Sequence, residues 1–145
     1  METIDKIMTK KVVTCSPNTS IMDAAKKMKN KTISSVVVVD GKKPVGIVTE
    51  RDFTKKVVSV NLDTKKHKVK EIMTKPVISI PPETNIYYAN EYMQKKGFRR
   101  FPITNKKGEL VGIITQRDLL NYFTTQRKKF VMQSLSKELR ESYPI

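Results

Sequence analysis

The sequence predicts a mixed α/β fold of the α+β kind: two β-α-β-β-α repeats packed through their sheets as a pseudo-two-fold pair, with a C-terminal helical tail. Three observations predict it. The stretch Val45-Gly46-Ile47-Val48-Thr49-Glu50-Arg51-Asp52-Phe53 returns as Val111-Gly112-Ile113-Ile114-Thr115-Gln116-Arg117-Asp118-Leu119. Ile7-Met8-Thr9-Lys10 returns as Ile72-Met73-Thr74-Lys75, and Val12-Val13, Pro17, Thr19, Ile21, Ala24 and Met28 find counterparts in the same register at Val77-Ile78, Pro82, Thr84, Ile86, Ala89 and Met93. Finally, each half alternates short β-branched runs with an apolar stripe at helical spacing. Units of about sixty residues bury too little surface to stand alone, so the two halves are expected to share a core.

In order, Ile4 to Met8 predicts a short helical turn and Val12 to Cys15 a strand. Pro17-Asn18-Thr19-Ser20 forms a turn ending in a good N-cap. Ile21, Ala24, Ala25 and Met28 then define one helix face, with Lys26, Lys27 and Lys29 opposite. Ser35 to Val39 is a β-branched strand, Asp40-Gly41 a tight turn, Val45 to Thr49 a strand, and Glu50 to about Val58 a helix. Asn61 to Lys68 is polar and reads as a linker. The second repeat follows the same order: a turn over Val69 to Met73, a strand over Val77 to Ile80, a helix from Ile86 to Lys96, strands over Arg100 to Thr104 and Leu110 to Thr115, and a helix from Gln116. The expected boundaries are 1–60 for the first repeat, 61–68 for the linker, 69–123 for the second repeat and 124–145 for a helical tail. In that tail Phe130, Val131, Leu135 and Leu139 have rough helical spacing, and the helix is expected to end before Pro144.

Composition narrows the function classes. The chain has 145 residues, is 38% hydrophobic and contains no apolar run near the ~18 residues of a membrane span. No signal-peptide core opens it, and Cys15 is the only cysteine, so a cytoplasmic protein without disulfides is expected. The net charge of +15 favours polyanionic partners. The lysines fall in scattered pairs, such as Lys10-Lys11, Lys55-Lys56 and Lys128-Lys129, which fits a solvated surface better than a dedicated nucleic-acid arm. No metal-ligand spacing, nucleophile–base pair or P-loop is present, and His67, the one histidine, sits in the linker. No metal site and no enzymatic activity are expected.

Thr49 and Thr115 each end a strand and start a helix. Thr-x-x-Asp at that place is a capping box. A helix start also offers free amides to a phosphate, and a carboxylate beside it can accept from the two hydroxyls of a ribose. The duplicated step is therefore either structural alone or part of a nucleoside phosphate site.

The duplicated β-α-β-β-α unit that opens with Ile-Met-Thr and closes with Gly-Ile-x-Thr-x-x-Asp resembles a tandem pair of CBS domains, or Bateman module, over roughly residues 3 to 123. The resemblance implies a stand-alone regulatory module of prokaryotic or archaeal type. It would bind an adenosine derivative (AMP, ADP, ATP, S-adenosylmethionine, in some relatives NAD-type ligands) between the halves and signal by conformational or assembly change to a separate effector protein. It also implies a homodimer, no required cofactor beyond that regulatory ligand, and no membrane insertion. One site would combine Thr14, Cys15, Ser16, Pro17, Ser34, Ser35, Val36 and Arg99 with Thr115, Arg117 and Asp118. The other would combine Ser79, Ile80, Pro81, Arg100 and Phe101 with Thr49, Arg51 and Asp52. Arg99-Arg100 stands where the first repeat has Ser34-Ser35, so the Asp118 site is the favoured one. The alternative is a basic nucleic-acid-binding protein, nucleotide-regulated or not, using the +15 surface and Arg127, Lys128 and Lys129.

Overall fold

Runs of β-branched residues fix the strands, and their partners decide how long each can be. A computed structural model of the chain describes residues 2–142. Thr14–Cys15 (β1) pairs parallel with Ser35–Asp40 (β2), which pairs antiparallel with Lys43–Thr49 (β3). Arg100–Thr104 (β4) pairs antiparallel with Leu110–Thr115 (β5).

The strand expected over Val77 to Ile80 is reduced to one parallel bridge between Ile80 and Ile103. The cause is a proline. In the first repeat the Val37 N–H donates to the Val13 carbonyl at 3.3 Å. The counterpart of Val37 is Pro102, which has no N–H to give. Likewise Val12 and Val13 precede β1 instead of belonging to it.

Helices Ile21–Lys31 (α1) and Ile86–Lys96 (α3) are counterparts. Ser20 Oγ caps α1 by accepting from the Asp23 N–H at 3.1 Å. Asn85 Oδ1 caps α3 through the Tyr87 and Tyr88 N–H groups at 2.8 and 3.3 Å. The buried faces, Ile21, Ala24 and Met28 against Ile86, Ala89 and Met93, are those the periodicity marks. Glu50–Phe53 (α2) widens into a π-helical turn over Thr54–Val58.

Gln116–Ser134 (α4) is a single helix that carries the second motif and runs straight into the expected tail, and a short helix, Lys137–Ser142 (α5), follows. The tail is thus an extension of α4, because no glycine or proline interrupts the chain between Gly112 and Pro144. Phe130 and Leu139 are exposed, so neither packs on its own pair. Pro144 lies outside the described residues. No helix among them is long and apolar enough to cross a membrane.

The two cores are interlocked. Ile4, Ile7 and Met8, which open the first repeat, pack with Ile86, Phe101, Ile103 and Ile114 of the second. Val69, Ile72 and Met73, which open the second, pack with Ile21, Val36 and Val48 of the first. Backbone ladders seal both crossings. Thr9 and Ile113 exchange two bonds of 3.0 Å, and Ile47 and Thr74 exchange bonds of 3.1 and 2.8 Å. The motif glycines follow from this: a Cβ on Gly46 would lie 2.4 Å from Met73 Sδ, and one on Gly112 would lie 2.5 Å from Met8 Sδ.

Candidate functional site

The strand start of each repeat is tied to its own motif helix. The Glu50 N–H donates to the Ser34 carbonyl at 3.2 Å, and the Gln116 N–H to the Arg99 carbonyl at 2.8 Å. Two clefts open around these ties. The larger, about 970 Å³, has Lys11, Val12, Val13, Ser34 and Ser35 from the first repeat facing Thr115 and Arg117 from the second. The smaller, about 490 Å³, has Thr74, Val77, Ile78 and Arg100 facing Thr49 and Arg51. Both sizes fall within the roughly 300–1,000 Å³ of small-molecule sites. Ser34, Glu50, Arg99 and Arg100 line both clefts.

The two motif carboxylates have different company. Asp52 is 6% exposed. Its Oδ2 accepts from the Thr49 N–H at 2.9 Å and the Thr49 hydroxyl at 3.4 Å. Its Oδ1 accepts from the Thr74 hydroxyl at 3.2 Å and pairs with Lys56 Nζ at 2.9 Å. Lys56 also donates to the Ile72 carbonyl at 2.9 Å. Asp52 therefore clasps the first motif helix to the opening turn of the second repeat. Asp118 is half-buried. Its Oδ2 accepts from the Thr115 N–H at 2.9 Å, and its own N–H donates to Thr115 Oγ1 at 3.1 Å. Among the described residues no donor reaches its Oδ1. The position corresponding to Lys56 is Tyr122, which supplies no cation.

Charge separates the clefts as well. The larger is bordered by Lys11, Lys29, Arg99, Arg100 and Arg117 against Glu50; the smaller by Arg51, Arg99 and Arg100 against Glu50. The Arg100 guanidinium is pushed below its ordinary pKa by burial and then by the like charge of Arg99, with Glu50 and Asp52 acting the other way. Its Nε is buried and has no hydrogen-bond partner among the described residues.

Of the residues expected at the Asp118 site, Ser34, Ser35, Arg99, Thr115 and Arg117 line the larger cleft. Thr14, Cys15, Ser16, Pro17, Val36 and Asp118 do not. Cys15 and Val36 are buried in the first core, while Ser16 and Pro17 serve the turn into α1, the Pro17 carbonyl accepting from the Lys70 N–H at 3.0 Å. At the Asp52 site, Arg100, Thr49 and Arg51 line the smaller cleft. Ile80 and Phe101 are core, Ser79 Oγ bonds the Thr104 hydroxyl at 3.0 Å, the Pro81 carbonyl closes a turn on Thr84, and Asp52 is held in its clasp. The apolar walls come instead from Val12-Val13 and Val77-Ile78, the pairs immediately before the expected residues. Their equivalence in the duplication was the available signal. Thr74 shared that signal through the repeated Ile-Met-Thr, whereas Lys11 and Lys29 carried none.

Two interlocked β-α-β-β-α units, with a cleft at each junction and a Thr-x-x-Asp helix start beside it, define a tandem CBS-domain protein. The chain belongs to that family: the CBS domain matches residues 4–64 and again residues 69–125. Among its relatives is an uncharacterised protein of Methanopyrus kandleri, 33% identical over 139 residues, covering 95% of this chain and 68% of that protein. The CBS domain pair of protein MJ0100, solved in complex with 5′-methylthioadenosine and S-adenosyl-L-methionine, superposes with a TM-score of 0.75 at 30% identity, covering 84% of this chain and 99% of that one. An inosine-5′-monophosphate dehydrogenase of Methanocaldococcus jannaschii is 34% identical over 137 residues, 94% of this chain but 25% of the enzyme.

Proposed function

We propose that this chain is a cytoplasmic, non-catalytic regulatory module. It binds an adenosine derivative (AMP, ADP, ATP or S-adenosylmethionine) in the larger cleft, beside the Thr115–Asp118 helix start. The observation that carries this reading is the contrast between the two carboxylates: Asp52 is fully engaged by Thr49, Thr74 and Lys56, whereas Asp118 keeps one oxygen for a ligand. Val12 and Val13 give a base an apolar wall, and Arg99, Arg100 and Arg117 give phosphate its counter-charge. The adenosine compounds bound by the MJ0100 pair support the ligand class. Ligand contacts to both repeats bias their relative placement, within a homodimer, by no more than the difference in affinity between the two states. A separate effector protein reads that change.

The test is a melting-temperature and calorimetric screen of the full chain against AMP, ADP, ATP, S-adenosylmethionine and NADH. A ligand at a hundred times its Kd stabilises the fold by about 2.7 kcal/mol. Asp118→Ala is expected to weaken the tightest site by about tenfold or more, the worth of one or two lost charge-assisted hydrogen bonds. An unmoved melting temperature with every compound, or an unchanged affinity in Asp118→Ala, sinks the reading. The net charge of +15 favours a second reading, nucleic-acid binding, which requires retention of DNA or RNA that falls steeply with added salt.

A further inference from the structure

The two clefts are not separate: Ser34, Glu50, Arg99 and Arg100 border both. Arg100 is the unusual member. Its Nε is buried without an acceptor, and among the described residues no carboxylate forms an ion pair with it. A buried guanidinium donor left unpaired is costly, and an anionic oxygen delivered from either cleft relieves it. Arg99 is exposed, so water and salt screen it and it attracts phosphate less strongly than its neighbour. Glu50 faces both clefts too, and opposes phosphate wherever Arg100 has been drawn away.

Resting on the adenosine-ligand reading above, we propose that Arg100 is one phosphate receptor shared by two clefts. A nucleotide phosphate in either cleft withdraws the guanidinium from the other. One chain therefore holds one nucleotide tightly and a second weakly. A nucleoside without phosphate makes no demand on Arg100 and fills the clefts without that mutual cost. The duplication explains how this arises: Arg99-Arg100 stands where the first repeat has Ser34-Ser35, so at this position only the second repeat supplies a cation, and it borders both clefts.

The test is a calorimetric comparison of ADP binding to the parent chain and to Asp118→Asn. The variant keeps an oxygen acceptor for the Thr115 N–H, and hence its helix cap, but loses the carboxylate at the helix start beside the larger cleft. ADP is then expected in the smaller cleft of the variant, at least about tenfold tighter than the second ADP of the parent, the worth of one charge-assisted contact. The same pair of titrations in an Arg100→Ala background should give coinciding values, as should 5′-methylthioadenosine in the parent background. Equal ADP values in the parent background, a gap that survives Arg100→Ala, the same gap with 5′-methylthioadenosine, or no ADP uptake by Asp118→Asn each overturn the shared receptor while leaving the larger cleft's role intact. A parent chain that takes up no adenosine compound overturns both readings together.

Discussion

Asp52 and Asp118 hold the same place in a repeated motif, yet the residues around them give them different work. Asp52 is a structural clasp; Asp118 is a helix cap with spare capacity. Stability and binding should therefore rank the two variants in opposite order. Asp52→Ala removes a cap together with the Thr74 hydrogen bond and the Lys56 pair, costing about 2–3 kcal/mol, whereas Asp118→Ala removes a cap alone, costing about 1 kcal/mol. Urea denaturation reads the first ranking and ligand titration the second; equal stability losses would contradict the clasp. Cys15 is a second residue whose role packing decides. Burial pushes its thiol up, with the Lys27 charge and the Thr19 hydroxyl only partly offsetting this. A thiol reagent at neutral pH should label it at least about tenfold more slowly than free cysteine. The unfolded chain loses its thiol proton first, so this group's contribution to stability is full below about pH 8.5 and declines as pH rises above it.

At the scale of elements, the motif strands are shaped by what crosses them. β3 carries Gly46 under Met73, and β5 carries Gly112 under Met8 and the Thr9 carbonyl. A new Cβ on Gly46 meets only the Met73 side chain, whose Sδ and Cγ can turn away although its Cβ at 3.1 Å cannot. A Cβ on Gly112 also meets the Thr9 carbonyl oxygen at 3.1 Å, and backbone yields less readily. Gly112→Ala is expected to cost about 1–3 kcal/mol, and Gly46→Ala less. Thermal melts of the two variants check this, and a larger loss at Gly46 would count against it. Periodicity correctly marks the buried stripes of α1 and α3, because each stripe records only which face is turned inward. It overstates the Val77–Ile80 strand because strand length depends on the partner, and the partner there is Pro102.

At the scale of the whole molecule, each opening turn completes the core of the other repeat. Ile4 is fully buried among residues of the second repeat. Ile4→Ala should cost about 2–5 kcal/mol, as a buried large-to-small change. Hydrogen exchange should then show protection falling first in α3 and β4, not in α1 and β2, although Ile4 opens the first repeat in sequence. Faster exchange in α1 would contradict the interlocked cores.

The sequence by itself determined the duplication, the order of elements, the inward faces of α1 and α3, and the concentration of arginine at the start of β4. Those features are local or periodic, and each residue's neighbours in the chain suffice to express them. Only the tertiary structure decided which core each opening turn enters, which residues wall the clefts, which motif carboxylate keeps a free oxygen, and that Arg100 belongs to both clefts. Two repeats with nearly the same pattern are interchangeable on paper. What distinguishes them is contact between segments far apart in the chain, where a proline without an N–H, a lysine one turn past an aspartate, or a glycine under a methionine changes what the same motif can do.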